Sequence, residues 1–384
     1  MNNISFCLLA SSLFVTADLS AQKNKVESIS WNVSGQLPAT NGKALGFAGP
    51  VVGVNNNVLL VGGGANFPDE MPWNGGKKKY YDDLYVYKKD SKDSLVLFQT
   101  HKLPFSIAYA ACVSTGKGLL VAGGENDAGI SNKVFLIKWD DQSQNIRVIN
   151  LPDLPTAVTN ASVAVNNDKV YLVGGETIND VSKKFLSLDL NNTSPVWMQL
   201  PFFPKPVSHA VMVVQSNGKN DCIYVIGGRK RDAGGTSDLY ASVFQFDLQQ
   251  RKWKEKQAMP SVLSAGTGAA FGDHCIFMFG GDNGETFHRT EKLIAAIATE
   301  KDEAKKELLI REKAGVQSNH PGFSKAVLKY NTLTDQWTLV RYIPYESPVT
   351  TTAVKWNDMI IVPGGEIKAG VRTSQIISAK IFYK

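Results

Sequence analysis

The sequence predicts an all-β fold, a six-bladed β-propeller, on three observations. Six Gly-Gly doublets each close a short apolar run, at Gly63-Gly64, Gly123-Gly124, Gly174-Gly175, Gly227-Gly228, Gly280-Gly281 and Gly364-Gly365. Their first glycines stand 60, 51, 53, 53 and 84 residues apart, and a period near fifty built from strand-like pieces marks kelch-type propeller blades. The last repeat also lacks an outer strand, and the first residues of the chain offer one.

The fourth repeat shows the elements in order. Ser208 to Val214 runs apolar, and Cys222 to Ile226 ends in the doublet. After a polar loop, Val243-Phe244-Gln245-Phe246 alternates and Lys252-Trp253-Lys254 closes the unit. Alternating, β-branched-rich runs bounded by Gly, Asn and Asp are strand signals. A glycine that ends the second strand lets backbones approach near the packed centre and permits a positive φ at the turn. Trp197, Trp253 and Trp337 follow their doublets at similar offsets and are expected to pack between blades.

The sixth repeat has only one further strand, about Gln375 to Tyr383, before Lys384. Ser28-Ile29-Ser30-Trp31-Asn32-Val33 resembles the Trp-bearing outer strands, and Gln36-Leu37-Pro38 resembles Ala258-Met259-Pro260. The N-terminal strand therefore completes blade six. Such a closure removes the seam of a ring of blades; the alternative is an open stacked array.

Length alone, 384 residues, suggests two or three domains, but a ring needs every repeat, so residues 22–384 read as one propeller. No internal segment approaches the roughly 18 apolar residues of a membrane span. Ile4 to Val15 is a short apolar stretch, and Leu19-Ser20-Ala21 offers a small-residue cleavage site. Residues 1–21 thus read as a secretory signal peptide, which implies a periplasmic or secreted protein. Cys112, Cys222 and Cys275 are expected as small core hydrophobes. The net charge of +6 mildly favours anionic ligands. It is too small and scattered to imply nucleic-acid binding.

The interval of 84 exceeds the others by about thirty residues, which fall between Gly281 and Ser324. Glu291 to Ala314 is rich in Ala, Leu, Glu and Lys without Gly or Pro. Leu293, Ile297, Ala304 and Leu308 fall roughly on one face, and Asp302/Lys306 and Glu307/Arg311 are i,i+4 pairs. The spacing predicts one or two helices in an insertion over about 286–322, in blade five. Long insertions on one face of a repeat fold build binding surfaces; a decorative excursion is the other reading.

Chemistry is expected where the doublets end. The next residues, Ala65, Glu125, Glu176, Arg229, Asp282 and Glu366, would form a ring near the axis. Carboxylates beside cations there suit acid–base work, although glutamate in three repeats also fits a structural role. Around Glu366 the chain reads Gly365-Glu366-Ile367-Lys368-Ala369-Gly370-Val371-Arg372-Thr373. This run resembles that of the bacterial N-acetylneuraminate epimerases, or sialic acid mutarotases, which are secreted kelch propellers. Gly46-Phe47-Ala48-Gly49, Gly63-Gly64-Ala65-Asn66-Phe67, and Gly75 with Lys77, Lys78, Tyr80 and Asp83 carry the resemblance further. It covers nearly all six blades in rotated order, as in a cyclically permuted branch. First-strand arginines of the better known members look replaced near Ile107 and Val207.

The resemblance implies Glu366 as proton acceptor in anomer exchange of a small sugar acid. It implies Arg372 as its partner, holding the sugar carboxylate or polarising the anomeric region, with no cofactor or metal. Asn66, Phe67, Lys77, Lys78, Tyr80, Arg229 and Asn283 are weaker candidates for substrate binding. A non-catalytic glycan- or protein-binding propeller stays open, since fold does not dictate function. A copper radical oxidase needs clustered His, Tyr and Cys ligands, and only His288 and His320, flanking the insertion, could meet.

Overall fold

A computed structural model describes residues 26–39, 42–232 and 234–383; the expected leader over 1–21 lies outside them. Six antiparallel sheets stand around an axis, five of four strands each and one of five. Blade one contains Ala48–Asn55, Val58–Asn66, Asp83–Lys89 and Leu95–Lys102, with a short extra strand, Lys79–Tyr80, paired to Ala65 and Asn66. Blade six is the composite one. Val26–Gln36 pairs antiparallel with Gln375–Tyr383, in a register that sets Trp31 opposite Ala379 and Gln36 opposite Gln375. The expected closure of the ring by the N-terminal strand is therefore present.

The second strand of each blade is a continuous apolar run because both of its faces are covered. Cys275–Phe279 and Met359–Pro363 are buried at every position. Outer strands such as Lys252–Lys256 carry only exposed and half-buried positions. The core is a circle of six apolar clusters, each between adjacent blades. The cluster joining blades five and six sets Trp31 edge-on to Phe279, with ring centroids 5.5 Å apart. A fully buried side chain such as Ile360 or Phe277 contributes roughly 1.5–3 kcal/mol. The repeated tryptophans tie each blade to the one before: Trp197 donates to the Pro152 carbonyl at 2.9 Å, Trp253 to Pro201 at 3.1 Å and Trp337 to Gln257 at 3.0 Å.

The doublets are inter-blade joints. At Gly174, φ is +69° and an added Cβ would lie 2.0 Å from the Val207 carbonyl oxygen of the next blade. Its partner Gly175 donates its N–H to that same carbonyl at 2.8 Å. No side chain fits such a joint.

A second circle closes nearer the axis. The N–H of Gly49 donates to the Thr350 carbonyl, Thr350 to Ala265, Ala265 to His209, His209 to Asn160, Asn160 to Tyr109 and Tyr109 back to Gly49, all at 2.7–3.0 Å. All six residues have positive φ, between 51° and 62°. Each directly follows a residue that bridges to the first residue past a doublet, as Ala108 does to Glu125 and Val349 to Glu366. This belt is what fixes the post-doublet residues around the axis.

The insertion consists of two helices, α1 (Glu285–Thr299) and α2 (Glu303–Ser318). The chain returns where it left, with the Ser324 N–H on the Gly281 carbonyl at 3.0 Å. The expected single apolar face is interrupted at Asp302, whose side chain caps α2 by accepting the Lys305 N–H. Leu293 is buried, whereas Leu308 is 63% exposed. Glu307 pairs with Arg311 as expected, but Lys306 turns to Glu303 and not to the capping Asp302. Among the described residues, no helix is long and apolar enough to cross a membrane.

Candidate active site

A cavity of about 480 Å³ opens at the axis. Five of the six post-doublet residues line it: Glu125, Glu176, Arg229, Asp282 and Glu366. Ala65 does not; it is fully buried beneath the extra strand of blade one. Lys78, next to that strand, lines the cavity in its place. The belt residues Tyr109, Asn160, His209, Ala265 and Thr350 line the cavity as well. Thr286, Phe287 and Thr290 of α1, with Gln317, His320 and Phe323 from α2 and the return, also line it, as do Arg231 and Arg372. The insertion is therefore part of the site.

Glu366 and Arg372 face each other across a two-strand ribbon, Glu366–Lys368 and Val371–Arg372, in which they are direct partners. Oε2 of Glu366 lies 3.3 Å from Nη2 of Arg372. Oε1 accepts the Gly370 N–H at 2.8 Å. Arg372 is 5% exposed and Glu366 18% exposed. The guanidinium packs on the Phe67 ring, 4.7 Å from its centroid. Its Nε and Nη1 are buried without a hydrogen-bond partner among the described residues. Arg372 thus braces the carboxylate beside it and leaves two buried donors unmatched.

Beside this pair, Glu125 Oε1 accepts from the Tyr80 hydroxyl at 2.8 Å and from Lys78 Nζ at 3.3 Å. Burial works against the Lys78 ammonium, but Tyr109, Glu125 and Tyr80 around it outweigh that and raise its pKa. Burial also raises the Tyr109 hydroxyl pKa, while Lys78 and Arg372 counteract it. Both groups hold their protons at neutral pH.

The opposite wall is a closed network. Arg229 Nη2 reaches His209 Nε2 at 3.2 Å. A guanidinium only donates, so Nε2 is the acceptor and the ring proton sits on Nδ1. Nδ1 meets Ser208 Oγ at 3.0 Å, and that hydroxyl donates to Glu176 Oε1 at 3.1 Å. Glu176 returns the charge to Arg229 at 3.6 Å and to Arg231 at 4.0 Å. Burial, then the Arg229 charge, holds the His209 pKa well below 6.5. His320 is 5% exposed. Its Nδ1 accepts the Gly322 N–H at 3.0 Å, so Nε2 carries the proton of the neutral ring. Burial lowers its pKa as well.

The residues expected at the site divide clearly. Glu366, Arg372, Lys78 and Arg229 come together in the lining. Phe67 and Tyr80 stand directly behind it, under Arg372 and on Glu125. Asn66 is 1% exposed and committed at both ends of its amide, donating to the Gly46 carbonyl and accepting from the Tyr81 hydroxyl. Lys77 is exposed outside the lining, and Asn283 is an exposed turn residue whose Oδ1 accepts the Glu285 N–H at 3.2 Å. Among the described residues, no three His, Cys, Asp or Glu side chains converge in a way that could hold a metal. Cys112, Cys222 and Cys275 are buried and unbonded. Sequence reasoning did not place Tyr109, His209, Arg231 or His320 in the site.

The fold and site define a propeller with an ionic, acid–base cavity at its hub. The profile of the family described as N-acetylneuraminate epimerase matches residues 14–146 and 151–384. The chain belongs to the N-acetylneuraminate epimerase family. It is 26% identical over 235 residues to the N-acetylneuraminate epimerase of Haemophilus influenzae (strain PittEE), covering 61% of this chain and 60% of that protein. It is also 26% identical over 231 residues to the enzyme of that name from Salmonella typhimurium, covering 60% and 58%. The chain thus spans about 60% of the length of the curated relatives it matches.

Proposed function

We propose that this protein is a mutarotase that interconverts the α and β anomers of N-acetylneuraminic acid. The observation that carries the reading is a carboxylate in the axial cavity, that of Glu366, fixed by one backbone N–H and one guanidinium. A positioned carboxylate is what removal of an anomeric hydroxyl proton requires. In this reading Glu366 takes the proton from the C2 hydroxyl and the C2–ring-oxygen bond breaks. The ring oxygen receives a proton from a cavity donor or water, leaving the open keto form. After rotation about the bond beside C2, the hydroxyl adds to the other face and both protons return. Atoms and charge balance over the cycle, and no step calls for a cofactor or metal.

His320 Nε2–H and the Lys78 ammonium supply donors in the same cavity. The expected leader over residues 1–21 belongs to this proposal, placing the activity outside the cytoplasm. A rotated blade order also belongs to it. The test is NMR exchange or polarimetry on freshly released α-N-acetylneuraminate. Protein at micromolar concentration should speed equilibration well above the buffer rate. Equal rates with and without protein refute the reading.

A further inference from the structure

The cavity lining holds four cations, Lys78, Arg229, Arg231 and Arg372, and four carboxylates, but they are not partnered alike. Glu366–Arg372 and Lys78–Glu125 are one-to-one pairs. At Glu176, two guanidiniums share one carboxylate. His209 adds no charge there, because its Nε2 accepts from Arg229. Nearby, Glu291 is committed to the N–H and hydroxyl of Ser237, and Asp282 Oδ1 accepts the Gly284 N–H. Asp282 and Glu291 keep their charge and act on Arg229, which leaves Arg231 as the cation whose ion-pair carboxylate is already shared with another guanidinium.

Arg229 opens the short strand Arg229–Lys230 and Arg231 directly follows it, and both reach the Glu176 carboxylate. Lys230 between them pairs with Asp232 at 2.7 Å. Both arginines line the cavity. Arg229 is held in place by Phe287, whose ring centroid is 4.7 Å from Cζ, and by His209. Arg231 is 61% exposed, and its ion-pair contact among the described residues is the 4.0 Å approach to Glu176. Its fork is open to a planar anion, the geometry that guanidinium recognises best. Arg372 is only 5% exposed, and its Nη2 already faces Glu366 at 3.3 Å.

We propose that Arg231, with Arg229 beside it, seats the carboxylate of the sugar acid, and that Arg372 does not. The proposal rests on the mutarotase reading for its substrate class. It divides the site into an anion pole at blade four and a proton-transfer pole at blade six.

The test compares N-acetylneuraminate with its neutral C1 methyl ester, which keeps the free anomeric hydroxyl. Anomer exchange is followed by NMR, and binding of each sugar is titrated in parallel. The wild-type protein should prefer the acid over the ester by roughly ten- to a hundredfold in kcat/KM, the range of a charge-assisted hydrogen bond. Arg231→Gln should bring that ratio toward one, mainly through KM for the acid, and Arg231→Lys should restore part of it. Lys252→Gln, on the exposed outer strand of blade four, removes the same charge and should leave the ratio intact. A wild-type protein that turns over acid and ester equally overturns the proposal. So does an Arg231→Gln protein that keeps the full preference. If the wild type accelerates neither sugar, the mutarotase reading fails alone, and the titrations decide the seat: tenfold tighter binding of the acid, lost in Arg231→Gln, supports it, and equal binding overturns it.

Discussion

Arg372 lies 3.3 Å from Glu366 with its guanidinium over the Phe67 ring, so this carboxylate–guanidinium pair is braced from behind by an aromatic face. The pairing is built by a two-strand ribbon that turns through Gly370, whose own N–H binds the same carboxylate. Base, countercharge and turn are one local unit.

Replacing Glu366 with Gln keeps the shape and removes the base. We expect kcat for anomer exchange to fall by about 10²–10⁴-fold, with sugar binding and the melting temperature retained. Stopped polarimetry and thermal unfolding of the same preparation check it.

Arg372→Lys keeps the charge and loses the planar fork and the stacking on Phe67. Turnover should fall by about 10–100-fold for acid and neutral ester alike, through kcat. A selective loss for the acid would instead make Arg372 the carboxylate contact.

Because Ser324 and Gly281 are hydrogen-bonded at 3.0 Å, the insertion can be excised by joining residues 284 and 323 through a short Gly-Ser link. The propeller should still fold, since its blades do not depend on α1 or α2. Loss of Phe287, Gln317 and His320 from the lining should lower kcat/KM by more than about tenfold. Circular dichroism and NMR exchange together separate misfolding from loss of the roof.

Gly174→Ala should cost about 2–4 kcal/mol, because the new Cβ meets the Val207 carbonyl at 2.0 Å as well as a positive φ. Gly234→Ala has a positive φ but nothing within 4 Å, and should cost only about 1 kcal/mol. Urea unfolding of the two variants measures the difference.

Stability should also decline with acid through His209. Burial, then Arg229, depresses its folded pKa below 6.5. Below that pH the unfolded chain takes up a proton that the folded chain refuses. The stabilisation is complete above 6.5 and is lost as pH falls toward the folded value, at up to about 1.4 kcal/mol per pH unit. His209→Asn, the residue type blade three uses at its belt position, Asn160, should flatten this slope between pH 6.5 and 5. An unchanged slope would assign the acid sensitivity elsewhere.

The doublets made the architecture legible because their constraint is steric and absolute: where a neighbouring carbonyl occupies the Cβ position, only glycine serves. Glu366 and Arg372 were legible for a related reason, since the ribbon joining them is a contiguous run with its own glycine turn. The belt was not. Its residues are Gly49, Tyr109, Asn160, His209, Ala265 and Thr350, with no shared side-chain chemistry, because each joins the circle through backbone atoms. Tyr109 and His209 therefore reach the cavity from positions that composition does not mark. The usable signal was their place, one residue past the position that bridges to the post-doublet residue. Asn66 misled in the opposite direction: the resemblance drew attention to it, yet its amide is spent on the Gly46 carbonyl and the Tyr81 hydroxyl. His320 was hidden by distance, carried to the axis by a helix whose role the periodicity could not reveal.

The belt also sets the electrical character of the cavity floor. Each of its six residues gives its N–H to one neighbour and accepts on its C=O from the next, so the circle spends all six of its own N–H groups on itself, unlike the free donors of a helix terminus. The floor thus offers an incoming anion no N–H of the belt. Whatever attraction such a molecule feels must come from side chains that point into the hollow, so exchanging a few of them could retune which solute is welcomed while the wheel itself stays untouched.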